Sequence, residues 1–517
     1  MLAAYLFLAL FAQATDPTPN REVGSPVCAR CHPKIFSTYS KTGMARSSGP
    51  LSLQNIIEPP EATAAFDVSG VRCSMRPTDA GLRFDFGRAD TAVGGSLALQ
   101  WFVGSGHVGR NYLYGRDGFL FQAPVSFYRS AGLFDAAPGY RQKAHLELTR
   151  PIGTACLQCH ASRLQPIAGT ENRFGSQPFL EGGVSCERCH GPGQHHVSSP
   201  KRSNIVNPAK LAGDRRDSIC AQCHLTGAAR VARLHPQTRA FQAGDRLSDT
   251  VAVFVRGDGA TATSATNHFE QLALSACQRA AGTKLWCHTC HPAHSEAAPA
   301  LNTICRNCHA AAQHKPANDG NCTGCHMPRT TTRMGDHVAY TDHRIARRPG
   351  APIAESLGDT LLPFGSAIYA ARDLALGYAA AEAGQRAVPL LEKAAALAPG
   401  DVAVLVQLAH FNDRAGQEER AQVLYERVLR LDPSETAAAV NLGGYLMKRG
   451  RTAEAMALWE SALRRNPGLV EVRLNLAVAH FRTGHREAAE AELKSALEWE
   501  PDHPIARRLL GEITAGR

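Results

Sequence analysis

After Cys325 the chain contains no cysteine, which confines any thiol chemistry, disulfide or thiol-anchored group to the part before that residue. Past the first residues there is also no apolar run approaching the roughly 20 residues that a membrane-crossing helix needs, so a soluble or peripherally bound mature protein is expected. Basic residues are not gathered on one predicted element. The formal net charge is +10, and scattered charge of this kind argues against nucleic acid as a partner while favouring an acidic partner or anionic surface. From 140 to 345 apolar periodicity is nearly missing, so side chains alone are not expected to build that core. The one apolar run, Leu2 to Phe11, ends in Ala12-Gln13-Ala14, a small-x-small site of signal-peptide form. It predicts cleavage near Ala14 and a periplasmic or extracellular location, although no Lys or Arg precedes the run.

The cysteines that are present follow one rule. Fourteen of the sixteen lie in seven Cys-x-x-Cys-His motifs: Cys28/Cys31/His32, Cys156/Cys159/His160, Cys186/Cys189/His190, Cys220/Cys223/His224, Cys287/Cys290/His291, Cys305/Cys308/His309 and Cys322/Cys325/His326. At this composition chance gives on the order of 0.02 copies, so the repeat carries chemistry: it reads as the attachment motif of c-type haem. Two cysteines three positions apart offer both sulfurs to the vinyl groups of one haem, and the adjoining histidine is the proximal iron ligand. Zinc sites draw ligands in fours and do not require His directly after the second Cys; a disulfide framework requires no His. Seven covalent haems are therefore expected, in an exported setting where so many cysteines are at home.

The chain divides into stretches of different character. Residues 15–345 hold all seven motifs and form the expected haem domain. Within it, 65–135 reads as a small β region, with Leu82, Phe84 and Phe86 alternating and Arg116-Asp117-Gly118 marking a hairpin. Residues 346–364, with Pro349, Gly350 and Pro352, read as a linker. Beyond it a second repeat begins. Pro399, Pro433, Pro467 and Pro501 recur every 34 residues, in frame with Leu374, Leu408, Leu442 and Leu476, with Ala387, Ala421, Ala455 and Ala489, and with the bulkier Leu391, Tyr425, Trp459 and Leu493. These columns resemble the tetratricopeptide repeat, which implies four antiparallel helix pairs over 365–503 stacked into a solenoid, closed by a capping helix at 504–517. The first unit departs from the pattern: Glu382 stands where later units have Gly416, Gly450 and Gly484, and Pro389 falls inside its second helix.

Gly183 to His196, Ile205 to Leu211, Cys287 to His294 and Cys322 to Pro328 resemble segments of the cytochrome c-552/c-554 group of multihaem proteins. The likeness is good over 140–345 and weaker over 25–135. It implies closely stacked haems whose second axial ligand is a histidine distant in sequence. Eleven histidines before residue 350 lie outside the motif positions. By the resemblance His107, His195 and His294 rank first as distal ligands, and His145, His268, His337 and His343 second; His196, His235, His288 and His314 complete the set. Met75 and Met327 are further candidates. Cys73 and Cys277 are left over, with a disulfide and two unbridged thiols both open.

The expected fold is multidomain: a mostly irregular and α-helical, haem-packed cytochrome domain with a small β region, then an all-α solenoid. The favoured function is electron transfer between redox partner proteins, with the solenoid binding a protein or peptide. Val406, Val440, Met447, Leu474, Val478 and Phe481 are candidate groove positions, alongside Asn441 and Asn475. The alternative is a multihaem oxidoreductase of small nitrogen or sulfur compounds at one open-site haem; no motif carries Lys in place of the proximal His. A scaffold with merely structural haems fits seven motifs poorly.

Overall fold

The computed structural model describes residues 19–515 except 60–61, 63–64, 80, 90–92, 234–239, 258–267, 297–299, 310–320, 330–340, 348–359 and 366–367. The amino-terminal apolar run, His235, His314, His337 and most of the linker lie outside the described residues.

Two antiparallel sheets form first. Ala65–Val68, Val71–Thr78, Gly81–Gly87 and Gly94–Ala98 make a four-stranded meander, and Ser48–Pro50, Trp101–Val103, Gly109–Arg116, Phe119–Tyr128 and Leu133–Ala136 a five-stranded sheet. The Arg116 hairpin closes through Asp117 and Gly118, both left-handed at φ 55° and 81°, which is the two-residue turn that matches strand twist. Leu82 and Phe84 point into the core as their alternation requires.

The β content exceeds the sequence expectation. A hairpin of Ala161–Pro166 and Phe174–Gly182 follows directly on His160, and Ala229–Ala232, Val251–Arg256 and Leu361–Pro363 form a third antiparallel sheet. Strands of three to nine residues broken by Pro and Gly show too little period-two pattern to be read. Leu361–Pro363 falls inside the stretch read as linker, so part of that stretch is a strand.

From Ala371 to Trp499 eight helices stand in four antiparallel pairs, followed by Pro504–Thr514. Ala387, Ala421, Ala455 and Ala489 are fully buried where the helices of each pair cross, and Leu391, Tyr425, Trp459 and Leu493 fill the space beside them. Gly443 shows why small residues are needed: a Cβ there would stand 2.3 Å from Nε1 of Trp459. The first unit is not broken. Helix Gly384–Leu397 runs through Pro389, and Glu382 takes the left-handed conformation (φ 56°) that Gly416, Gly450 and Gly484 take in their units.

Both ends of the solenoid rest on the preceding body. Helix Ala371–Ala380 packs on Phe254 and Leu361 of the third sheet, with Arg372 donating to the Ala232 carbonyl and Tyr378 accepting from the Leu361 amide. At the far end Trp499, Leu493 and Ile513 join the core of the two large sheets. The strand Phe119–Tyr128, covered on both faces, is buried along its whole length.

Candidate metal centre

Each Cys-x-x-Cys-His motif makes or ends a short helical piece, among them Cys186–His190, Gly213–His224, Leu301–Cys308 and Cys322–His326. One helical turn sets residues three apart on one face, and in six of the seven motifs both thiols line one cavity. All seven motif histidines, with thirteen of the fourteen motif cysteines, line a single cavity of about 3450 Å³. That is several times the roughly 300–1,000 Å³ of an ordinary small-molecule site.

Thiols of different motifs are hydrogen-bonded in pairs: Cys28 with Cys186, Cys159 with Cys223, Cys220 with Cys287, and Cys305 with Cys322. Cys189 contributes to the field at Cys220, and Cys305 to that at Cys290. The motifs thus form a continuous row, first, third, fourth, fifth, sixth, seventh, with the second joined at the fourth.

Histidine rings face one another across the cavity. His32 and His196 have ring centroids 6.5 Å apart, His190 and His294 5.9 Å, His224 and His268 5.7 Å, His291 and His343 6.1 Å, with planes inclined by 12° to 28°. A metal held between two imidazoles by bonds of about 2 Å sets their centroids about 6 Å apart. The residues therefore fit an iron ligated on both sides. Backbone carbonyls select the tautomer: Nδ1 of His190, His196, His326 and His343 lies 2.7–3.0 Å from the oxygens of Val206, Lys201, Ala346 and Thr341. With the proton held there, Nε2 keeps its lone pair for a metal. Burial, aided by the neighbouring His343 ring, holds His268 down to about 3, and burial also lowers His291, His294 and His343. These rings stay neutral, the form that ligates.

The remaining distal candidates are placed differently. The ring of His196 stacks opposite that of His32, while the backbone amide of the neighbouring His195 donates to Asn20 Oδ1. His107 is an exposed side chain 3.1 Å from the Glu296 carboxylate. His145 lies outside the cavity lining, at the solenoid junction, with Nε2 2.5 Å from Glu500 and its ring against His503. His145, Glu500 and His503 are close enough together for a metal ion. However, Nδ1 of His503 accepts from the Ala506 amide, which puts the ring proton on Nε2 and turns that atom toward carboxylates as a donor. Met75 and Cys73 are buried in the β core and do not line the cavity, whereas Cys277 is on the cavity wall; no disulfide joins any of the cysteines. Met327 lines the cavity.

Sequence reasoning missed Glu187, between the cysteines of the third motif. Buried, it accepts backbone N–H bonds from Val23, Gly24 and Gly193 at 2.7–2.8 Å, tying the first motif and the turn before His196 to the third motif. A motif spacer gives no signal of this role, because two of its three partners, Val23 and Gly24, lie over 160 residues away.

Residues 136–191 match the family described as cytochrome c554 and c-prime, and residues 378–443 and 446–513 match the tetratricopeptide repeat family. The C-type polyheme cytochrome OmcC of Geobacter sulfurreducens is 36% identical over 77 residues, which are 14% of this chain and 9% of that protein; the match thus spans a small part of that relative's length. Among solved structures, MamA from Desulfovibrio magneticus RS-1 is 19% identical over 28% of this chain and 82% of its own, with a TM-score of 0.26. A tetratricopeptide domain of Spaghetti (RPAP3), solved with an HSP90 peptide, is 20% identical over 22% of this chain and 91% of its own, with a TM-score of 0.21. No helix among the described residues is long and apolar enough to cross a membrane. From the motifs, the facing histidines and the two stretches matched, the chain is a multihaem c-type cytochrome fused to a carboxy-terminal tetratricopeptide repeat domain, with residues 136–191 similar to the cytochrome c554 and c-prime family.

Proposed function

We propose that this is an exported seven-haem electron-transfer protein, docked to redox partners through its repeat domain. The observation that carries this reading is the cavity itself: seven motif histidines on one wall system, in a continuous row. Haem bound at these motifs supplies irons that take up and release single electrons. The chain's own residues do the rest. The cysteine pairs would anchor each haem; His32, His190, His224 and His291 would ligate iron from one side, and His196, His294, His268 and His343 from the other. Ligation on both sides leaves those four sites no position for substrate, which favours conduction over small-molecule chemistry. Covalent attachment through so many cysteines supports an extracytoplasmic location. The net positive charge favours partners with an acidic face.

Intact mass of the exported protein tests the central point: polypeptide plus seven haems is expected, and five or fewer would overturn it. The oxidised spectrum should be dominated by low-spin haem. A substantial high-spin fraction that binds small nitrogen or sulfur compounds would instead indicate an open-site oxidoreductase.

A further inference from the structure

Cys277 belongs to no haem motif, yet it lines the cavity and its Sγ stands 4.0 Å from Nε2 of His309, the proximal histidine of the sixth motif. Resting on the seven-haem reading, we infer that Cys277 is the distal axial ligand of the iron held by His309, making that one haem histidine–thiolate ligated.

Two independent observations converge. First, the spacing is that of two ligands across a metal. Bonds of about 2.0 Å to imidazole nitrogen and about 2.3 Å to thiolate sulfur, opposed on one ion, set the two atoms about 4.3 Å apart. Second, four other motif histidines each face a ring at the spacing an intervening iron demands. In the sixth motif, among the described residues, this thiol faces the proximal Nε2. Cys277 forms no disulfide, and Cys73 is sequestered in the β core. Its position is also held, since the preceding Ser275 is fully buried and its Oγ accepts from the Gln278 amide, fixing the first turn of Ala276–Ala281. On binding, the thiol gives its proton to solvent and ligates as thiolate. No change of oxidation state is involved. Thiolate donation stabilises the oxidised iron, so this haem is expected to have the lowest potential of the set.

The test uses full-length holoprotein with its haem number checked by mass. Low-temperature electron paramagnetic resonance and near-infrared magnetic circular dichroism of the oxidised protein should show a thiolate-ligated low-spin haem amounting to about one in seven, as the motif count requires. Cys277→Ser should abolish that signature while retaining seven haems. Cys277→His should convert the site to bis-imidazole, and Cys277→Met should keep it low-spin while raising one potential. Wild-type protein with seven haems and no thiolate signature overturns the inference but leaves the seven-haem reading intact. So does a signature that survives Cys277→Ser, or full alkylation of Cys277 in the oxidised holoprotein. Absence of the haem at Cys305 and Cys308 overturns both.

Discussion

Phe121, third in a ten-residue strand buried on both faces, meets Trp499 at the end of the fourth repeat with ring centroids 4.8 Å apart and planes inclined by 54°. Such tilted aromatic contact is found in cores. The cytochrome body and the end of the solenoid thus share one apolar cluster, reinforced where the Leu148 amide donates to the Trp499 carbonyl and the Leu146 amide to Asp502.

Trp499→Ala should therefore damage both parts together. Removing a buried indole costs about 3–5 kcal/mol. Denaturant melts of the holoprotein, followed separately by helix dichroism and by haem absorbance, should shift together by that amount. A loss confined to the helical signal would mean that the junction transmits nothing.

How much of this was legible in the sequence depends on whether the signal was local. The seven motifs and the Asp117-Gly118 turn are fixed by residues within a few positions of each other, and the tetratricopeptide frame by its exact 34-residue period, so each can be read directly. The third sheet was not legible, because Leu361–Pro363 is three residues long and owes its pairing to Val251–Arg256, more than 100 residues earlier. Axial partners are a harder case. His190 and His294 sit 104 positions apart in the chain, and only folding brings the ring of His196 opposite that of His32. His145 illustrates the same point: composition marks it as a spare histidine, whereas its surroundings are Glu500 and His503 of the last repeat.

The choice between the adjacent histidines can be read spectroscopically. His196→Ala should convert one haem to a high-spin form that binds carbon monoxide when reduced, whereas His195→Ala should leave the spectrum unchanged. Conversion by the second variant instead of the first would reverse the assignment.

Glu187 offers a test of positioning. Its carboxylate gathers three backbone donors, and hydrogen bonds to a charged group are each worth about 1.5–3 kcal/mol. Glu187→Ala should lower stability by several kcal/mol and broaden the low-spin signal of the haem at Cys28 and Cys31. Glu187→Gln, which keeps one acceptor oxygen, should recover part of the loss. Equal stability of the two variants would show that shape rather than hydrogen bonding matters there.

At the first repeat turn a stabilising change is expected. Glu382 holds a φ of 56° that glycine holds in the three later units. A side chain in that region costs about 1–2 kcal/mol, part of which glycine returns as unfolded-chain entropy. Glu382→Gly should therefore raise stability by about 1 kcal/mol without altering haem content, and a decrease would mean that the Glu382 side chain makes a compensating contact.

The candidate docking face is narrower than the repeat frame alone suggested. Leu474 is buried in the shared core, Val406, Val440 and Met447 pack inside the solenoid, and Asn441 donates to the Tyr425 hydroxyl and the Ala437 carbonyl. Val478 and Phe481, one helical turn apart on Val470–Arg482, remain 40% and 44% exposed, with Asn475 exposed on the preceding turn. Phe481→Glu in the full-length protein adds a charge to that surface without opening the core, so its stability should stay within about 0.5 kcal/mol of wild type. If this face engages a redox partner, a negative charge beside an acidic partner should slow partner-dependent reduction, and more so at low salt, where repulsion is least screened. Reduction by a small chemical reductant should be unaffected, since it needs no docking. Equal loss with both reductants would place the defect in the haem row, and no loss with either would leave the repeats as a brace for the cytochrome body.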